Sequence, residues 1–581
     1  MSASIRVLSC LALFTCSFSA LAGEAWVEES NAITAEVMRA QAQFAPETFS
    51  SLGVESVDGE IMDLRAETYE RSQQQLLDLI AMLEQRATTV EHPKAAQDVQ
   101  ILIGSLRDQH RSTELQRRHM LTYYNLPQTL YFGFRALLDP RNNPERYPAA
   151  LERLSKYTGR ADGFEPLTRL ARDRTAERLA DPGLLGPFRL EIENNLENVP
   201  RFLAGMESTF AESGLEGWED DLALLSEQLT GYAEWLRTNV LPRARDDHRL
   251  PEEIYADNLA NFGVDLAPRD LIQAAQLGFA DLQRQMQSIA RLIAAERGWP
   301  SADYRDVIRE LNRDQVPEED VLAVYRNRLA ELEAIILEHD IVTLPDRPAA
   351  IRLATEAESA ASPAPFMSPP QLTGDTGQPG EFVLVTSNPT DESGEAMDDF
   401  GSLASTWSLA AHEARPGHEM QFAAMLEAGV SEARALYAFN SANVEGWGLY
   451  AEAIMLEYLP LDAQLFGLRS RLMRAARAFL DPMLNLGLLE PDQALEFLVD
   501  DVVLSRPMAR QEVDRYTYRA PGQATSYYVG YMSLMALRTE VELRLRDRFD
   551  QRAFHDFLLS QGLLPPELLR QAVLEEFVPA Q

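Results

Sequence analysis

The spacing of apolar residues constrains this chain more than any other feature. From about residue 30 to 350 they recur every three or four positions between Arg, Glu and Gln, as in Leu76, Leu77, Ile80 and Leu83, and again in Ile272, Ala275, Phe279 and Leu282. That period belongs to amphipathic helices, which must pack their apolar stripes together. Asp303 and the run Pro317-Glu318-Glu319-Asp320 supply helix-start chemistry ahead of two such segments. The texture changes between about 361 and 400. Ser362-Pro363-Ala364-Pro365 and Ser368-Pro369-Pro370 precede Gly374, Gly377 and Gly380, and Glu381–Thr386 is the best strand candidate. Helical periodicity resumes near 401, with breaks expected at Pro460, Pro482, Pro507 and Pro521-Gly522. The expected fold is mainly α, with a small β element before residue 400. The expected division is a leader over 1–22, a helical lobe over 23–360 and a second lobe over 361–581, the two lobes forming one continuous unit.

The N-terminus reads as a secretory signal. Arg6 precedes an apolar run from Val7 to Leu21, which ends in the small-residue pattern Ala20-Leu21-Ala22. Both cysteines, Cys10 and Cys16, fall inside it, so the processed chain is expected to contain no disulfide, thiolate nucleophile or cysteine metal ligand. Any metal must use His, Asp or Glu. With 90 acidic against 53 basic residues, the formal net charge is −37. Such a surface repels phosphate backbones and anionic lipid, which argues against nucleic-acid and membrane-surface partners. The expected location is exported, periplasmic or secreted, without stable membrane insertion after cleavage.

Two of the eight histidines fall in His412-Glu413-Ala414-Arg415-Pro416-Gly417-His418. The segment is similar to the zincin pattern H-E-x-x-H, in which two His one turn apart hold zinc and the Glu is a base. Here the second His is at i+6, about 240° round an unbroken helix, so the rings meet only if the helix is deformed at Pro416-Gly417. The competing reading is two ordinary histidines flanking a kink. A third ligand is available in Glu445, 27 residues past His418, the place where gluzincins take a Glu from a following helix. Glu452 lies seven residues on, on the same helix face, as a supporting carboxylate. Trp447, Leu449, Ile454 and Met455 surround the pair with bulk, and an acid in such a setting needs a partner.

Three segments carry a family resemblance: His412–His418, Glu445-Gly446-Trp447-Gly448-Leu449-Tyr450-Ala451-Glu452, and Pro521-Gly522-Gln523-Ala524-Thr525-Ser526-Tyr527. In that order they resemble the bacterial domain-of-unknown-function 885 family, placed among the zincin-like peptidases. The resemblance is specific over about 365–540. It implies a large helical gluzincin-like fold, akin to the helical carboxypeptidases and oligopeptidases. One departure stands out. The family usually has an Asp followed four residues on by a His, whereas here Asp481 is followed by Asn485.

On this reading His412, His418 and Glu445 hold Zn2+ with one position open for water, and Glu413 is the general base. Tyr527 is the candidate oxyanion donor with Tyr528 in reserve, although packing explains either tyrosine equally well. Arg415 and Asp481 are candidates for substrate contact. The 382–386 strand is an edge for an extended peptide or, alternatively, a plain structural hairpin. The expected activity is a zinc metallopeptidase cleaving short peptides. The alternatives are a zinc amidohydrolase on a non-peptide amide and a helical binding protein that has lost activity, with Asn485 as its sign.

Overall fold

The computed structural model describes residues 25–355, 358–359, 364–373, 377–385 and 397–581. The expected leader with Cys10 and Cys16, and most of the acidic run 391–399, lie outside the described residues. The fold is mainly helical, as the periodicity requires. Asp303 caps its helix by accepting from the Arg305 amide. Six helices position the site: α1 (Pro268–Arg297), α2 (Ser405–Glu413), α3 (His418–Glu427), α4 (Ser441–Met455), α5 (Leu461–Asn485) and α6 (Gln523–Leu545).

Helix α1 lays Leu271, Ala275, Phe279, Leu282 and Met286 along α5, and this pairing makes one core. A second core joins Tyr325, Leu332 and Ile336 to Phe382, Leu409, Trp447 and Leu537, so it draws on both sides of residue 360. A third lies wholly within residues 64–240. Helix α5 is buried on nearly every side, yet it carries Arg469, Arg471, Arg474, Arg477 and Asp481. It also runs through Pro482, where a break was expected. Proline there forfeits only the bond to the Ala478 carbonyl, and the packed flanks hold the last turn.

Three short strands form a sheet in the order β1 (Ala350–Leu353), β3 (Glu381–Leu384), β2 (Phe366–Ser368), with β3 parallel to β1 and antiparallel to β2. The expectation that this strand offers an edge to a peptide is therefore corrected, because β3 is central and paired on both sides. Phe382, Val383 and Leu384 are all buried, as a continuous apolar run in a covered strand should be. The two flanking strands escape a sequence reading because neither shows alternation.

Helices α4 and α6 approach closely through two glycines. A Cβ on Gly530 would lie 1.9 Å from the Ala442 carbonyl oxygen, and one on Gly446 2.6 Å from the Gly530 backbone. Gly530→Ala is expected to destabilise the protein by about 1–3 kcal/mol or more through overpacking. Gly104→Ala, in a helix with nothing within 4 Å of the added carbon, is expected to stabilise it by up to about 1 kcal/mol. Denaturant unfolding of the two variants checks the contrast in sign.

Candidate metal centre

The segment between the two histidines is not a deformed helix but a complete break. Helix α2 ends at Glu413, residues 414–417 form a turn, and α3 begins at His418. The Arg415–Pro416 peptide is cis. Three contacts hold the turn. The Trp447 indole donates to the Pro416 carbonyl at 2.9 Å. A Cβ on Gly417 would lie 1.9 Å from the His412 carbonyl oxygen, so the chain can return this tightly only with glycine there. The Arg415 guanidinium donates to Glu419 at 2.8 Å, to Glu333 at 2.7 Å and to the Arg347 carbonyl at 2.6 Å. Arg415 is 3% exposed. Its expected role in meeting substrate is corrected, since the whole guanidinium is engaged in holding the turn.

The break brings the predicted ligands together. Glu445 Oε2 lies 3.5 Å from His412 Nε2 and 3.3 Å from His418 Nε2, and one ligand atom from each of the three residues falls within 4.8 Å of the others. The imidazole centroids are 4.7 Å apart at 83°. Gly448 makes this possible, because a Cβ there would sit 2.7 Å from His412 Cε1 and 2.9 Å from His418 Cε1. Zinc ligands about 2.1 Å from a tetrahedral ion stand about 3.4 Å apart, so the separations to Glu445 suit one divalent ion. The donor set agrees. Glu452 Oε1 lies 2.8 Å from His412 Nδ1, which orients the ring and leaves Nε2 free to ligate. His418 Nδ1 is buried without a partner.

Charge is concentrated here. Burial would depress the His412 imidazolium, but hydrogen bonds to Glu445 and Glu452 outweigh it and lift its pKa to about 9. Burial likewise works against Glu445, yet the two histidines hold its carboxyl well below the usual range. Glu413 is raised, mainly by burial, against the pull of His412 and His418.

Of the two candidate tyrosines, Tyr527 faces the site. Its ring stacks 6.4 Å from that of His412, and its hydroxyl accepts from Arg515 Nη2 at 2.8 Å. Tyr528 instead points its hydroxyl at Gly278 on α1, where a Cβ would clash at 1.9 Å. Asp481 is fully buried and accepts from Tyr255 at 2.9 Å, from the Gly522 amide at 2.9 Å and from Asn485 at 3.1 Å. Burial pushes it up to about 7 against those donors. It therefore anchors the start of α6, which carries Tyr527, and does not reach the ligand cluster. Asn485 also donates to the Tyr516 carbonyl at 3.1 Å, so it belongs to the same anchor.

Arg474, Arg477, Arg515 and Glu512 were missed. The guanidinium carbons of the three arginines lie 5.8, 4.6 and 5.2 Å from the Tyr527 ring centroid. Glu512 accepts two 2.6 Å bonds from Arg477 and one at 2.7 Å from the Tyr516 hydroxyl. The available signal was Arg471, Arg474 and Arg477 at helical spacing in a segment otherwise apolar enough to be buried.

The chain matches, over residues 46–573, the bacterial family described as a protein of unknown function (DUF885), and it belongs to that family. No curated protein matches it. Among solved structures it is similar to one from Colwellia psychrerythraea, provisionally described as a lipoprotein, with TM-score 0.77, 17% identity, and 96% of this chain and 100% of that one covered. It is also similar to a provisionally described lipoprotein of unknown function from Shewanella oneidensis, with TM-score 0.72, 21% identity, and 95% and 100% coverage. These likenesses establish the fold. A Bacillus anthracis chain provisionally described as oligoendopeptidase F reaches a TM-score of only 0.25 at 12% identity, over 87% of this chain and 96% of that one, and carries no argument.

Glu452→Gln is expected to weaken zinc binding by about 10–100-fold. Gly448→Ala is expected to abolish binding by driving the imidazoles off the shared position. Competitive chelator titration followed by elemental analysis measures both. Away from the ligands, burial works against Glu512, but Arg477 outweighs it and holds the carboxyl near 2. Its folded value is below its unfolded one, so the unfolded state takes up more protons as pH falls. The stabilisation from Glu512 is expected to be complete above about pH 4.5 and lost toward pH 2. Glu512→Gln should flatten that part of the acid-unfolding curve.

Proposed function

We propose that this protein is an exported zinc-dependent hydrolase that cleaves amide bonds in short peptides, with a gluzincin-type ligand set. The observation that carries the reading is the convergence of His412, His418 and Glu445 at separations suited to one tetrahedral ion, with Glu413 beside it. Export is supported by the leader-like N-terminus and by the likeness to chains described as lipoproteins. Among the described residues no helix is long and apolar enough to cross a membrane.

His412, His418 and Glu445 would hold a divalent ion, which would supply Lewis acidity toward a water molecule. Glu413 follows a ligand directly in sequence and is not a ligand itself. It receives the proton the attacking water sheds and passes it to the leaving nitrogen as the C–N bond breaks. The Tyr527 hydroxyl already accepts from Arg515, so its own hydrogen is free to donate to the carbonyl oxygen as that oxygen gains charge. Glu452 keeps the His412 ring in one orientation and tautomer. Asn485 motivated the reading of an inactive binding protein, but its amide contacts Asp481 and the Tyr516 carbonyl, none of them in the ligand set.

The zinc-loaded wild type is expected to hydrolyse members of a short-peptide library. Glu413→Gln is expected to keep stoichiometric zinc and lose about 10²–10⁴-fold in kcat. Tyr527→Phe is expected to lose about 10²–10³-fold in kcat with little change in KM. A wild type that takes up no zinc, or takes it up and cleaves no amide, sinks the proposal.

A further inference from the structure

The arginines round Tyr527 are an anomaly of charge. The chain carries a net −37, yet α5 and the segment before α6 bury a cluster of cations beside the ligand set. Arg477 is paired with Glu512 and Arg469 with Asp399. Among the described residues Arg471, Arg474 and Arg515 form no direct ion pair; Glu452 acts on Arg474, and Glu512 and Glu445 on Arg515, only from farther off. Arg471 and Arg474 are each 8% exposed and Arg477 3%. Arg471 Nε and Nη2, Arg474 Nε and Arg477 Nη1 are buried donors with no acceptor. A guanidinium buried without an anion or a full set of acceptors is costly, and a fold that needed only packing would place methionine or leucine there. Stacking on Tyr527 and Tyr531 recovers only part of that cost.

We infer that this cluster is the substrate's carboxylate subsite, so that the amide cleaved at the metal centre belongs to a molecule with a free carboxylate close to the scissile bond. The inference rests on the hydrolase reading above and names its substrate class. Guanidinium is the side chain suited to a planar carboxylate, which it grips through two parallel N–H bonds. The position agrees, since Arg474 lines one cavity with His412 and Glu452, the three arginines and His412 all pack round the Tyr527 ring, and one extended residue spans only about 3.5 Å. The carboxylate comes either from a peptide's C-terminus or from an acidic side chain.

The test compares matched substrates on the zinc-loaded full chain: an N-acyl dipeptide as free acid and as C-terminal amide, then a C-terminally amidated peptide with Asp and with Asn beside the scissile bond. At least a tenfold preference in kcat/KM for a charged member is expected, and the pair that shows it identifies the carboxylate's source. In Arg474→Met the ratio of charged to neutral turnover should fall toward one, while Arg474→Lys restores part of it. A purely structural role lowers both members alike and leaves the ratio. Arg515→Gln, at a less buried position, serves if Arg474→Met does not fold. Equal turnover of charged and neutral members overturns the subsite and leaves the hydrolase standing. If no member is cleaved, the hydrolase reading fails. Calorimetry with N-acetyl-alanine against N-acetyl-alaninamide then decides the subsite, with tighter binding of the acid supporting it and equal or absent binding overturning it.

Discussion

Two imidazoles can share one carboxylate only if nothing stands between them and the helix that supplies it, and Gly448 meets that condition. Both rings rest against the bare backbone of α4 where any side chain would collide. Gly446, on the same helix, lets α6 come close enough for Tyr527 to stack near His412. The segment from 445 to 452 thus does three jobs in eight residues. It supplies the proposed ligand Glu445 and the carboxylate Glu452 that holds the His412 ring, and it keeps two positions bare for its neighbours. Glycine inside a helix ordinarily costs stability, and here the closeness it permits is what the centre requires.

How much of this was legible in the sequence varied with how local the cause was. The helical class followed from a 3.6-residue period sustained over hundreds of positions. His412, His418 and Glu445 followed from residue types and spacing, and so did the need for a deformation at Pro416-Gly417. What the spacing left open was whether the helix would bulge or break. A full break depends on Trp447, Glu333 and Arg347 gripping the turn from other parts of the chain. The same long-range contacts explain Arg415, which looks like a free cation in the motif and is a tie in the fold. The central position of β3 was hidden because its partners at 350–353 and 366–368 carry no pattern of their own. Asp481 is a candidate for substrate contact and Asn485 a departure from the family pattern, and in the fold Asp481 holds the start of α6 while Asn485 bonds to Asp481 and to the Tyr516 carbonyl.

The arginines of α5 illustrate a different limit. Their spacing placed them on one side of a helix, and the ordinary reading of a charged stripe is a solvated face. Only the packing of α1 and α6 over that helix shows them buried. Once buried, each must be matched or left wanting. Arg477 pairs with Glu512 yet keeps one unanswered donor, and Arg471 and Arg474 are left with unanswered donors and no direct ion pair.

The grip on Arg415 has a consequence for how this chain can be divided. The guanidinium is tied by Glu419 from within α3, but also by Glu333 and by the Arg347 carbonyl, both upstream of residue 360. A fragment starting after residue 360 would hold every proposed zinc ligand and the Trp447 bond to the turn, but would retain only one of the three ties on Arg415. The proposed ligands are encoded in one half of the polypeptide and their arrangement is underwritten by the other. Shuffling the ligand-bearing half onto an unrelated partner would transplant the ingredients without the scaffold that sets them at working distance.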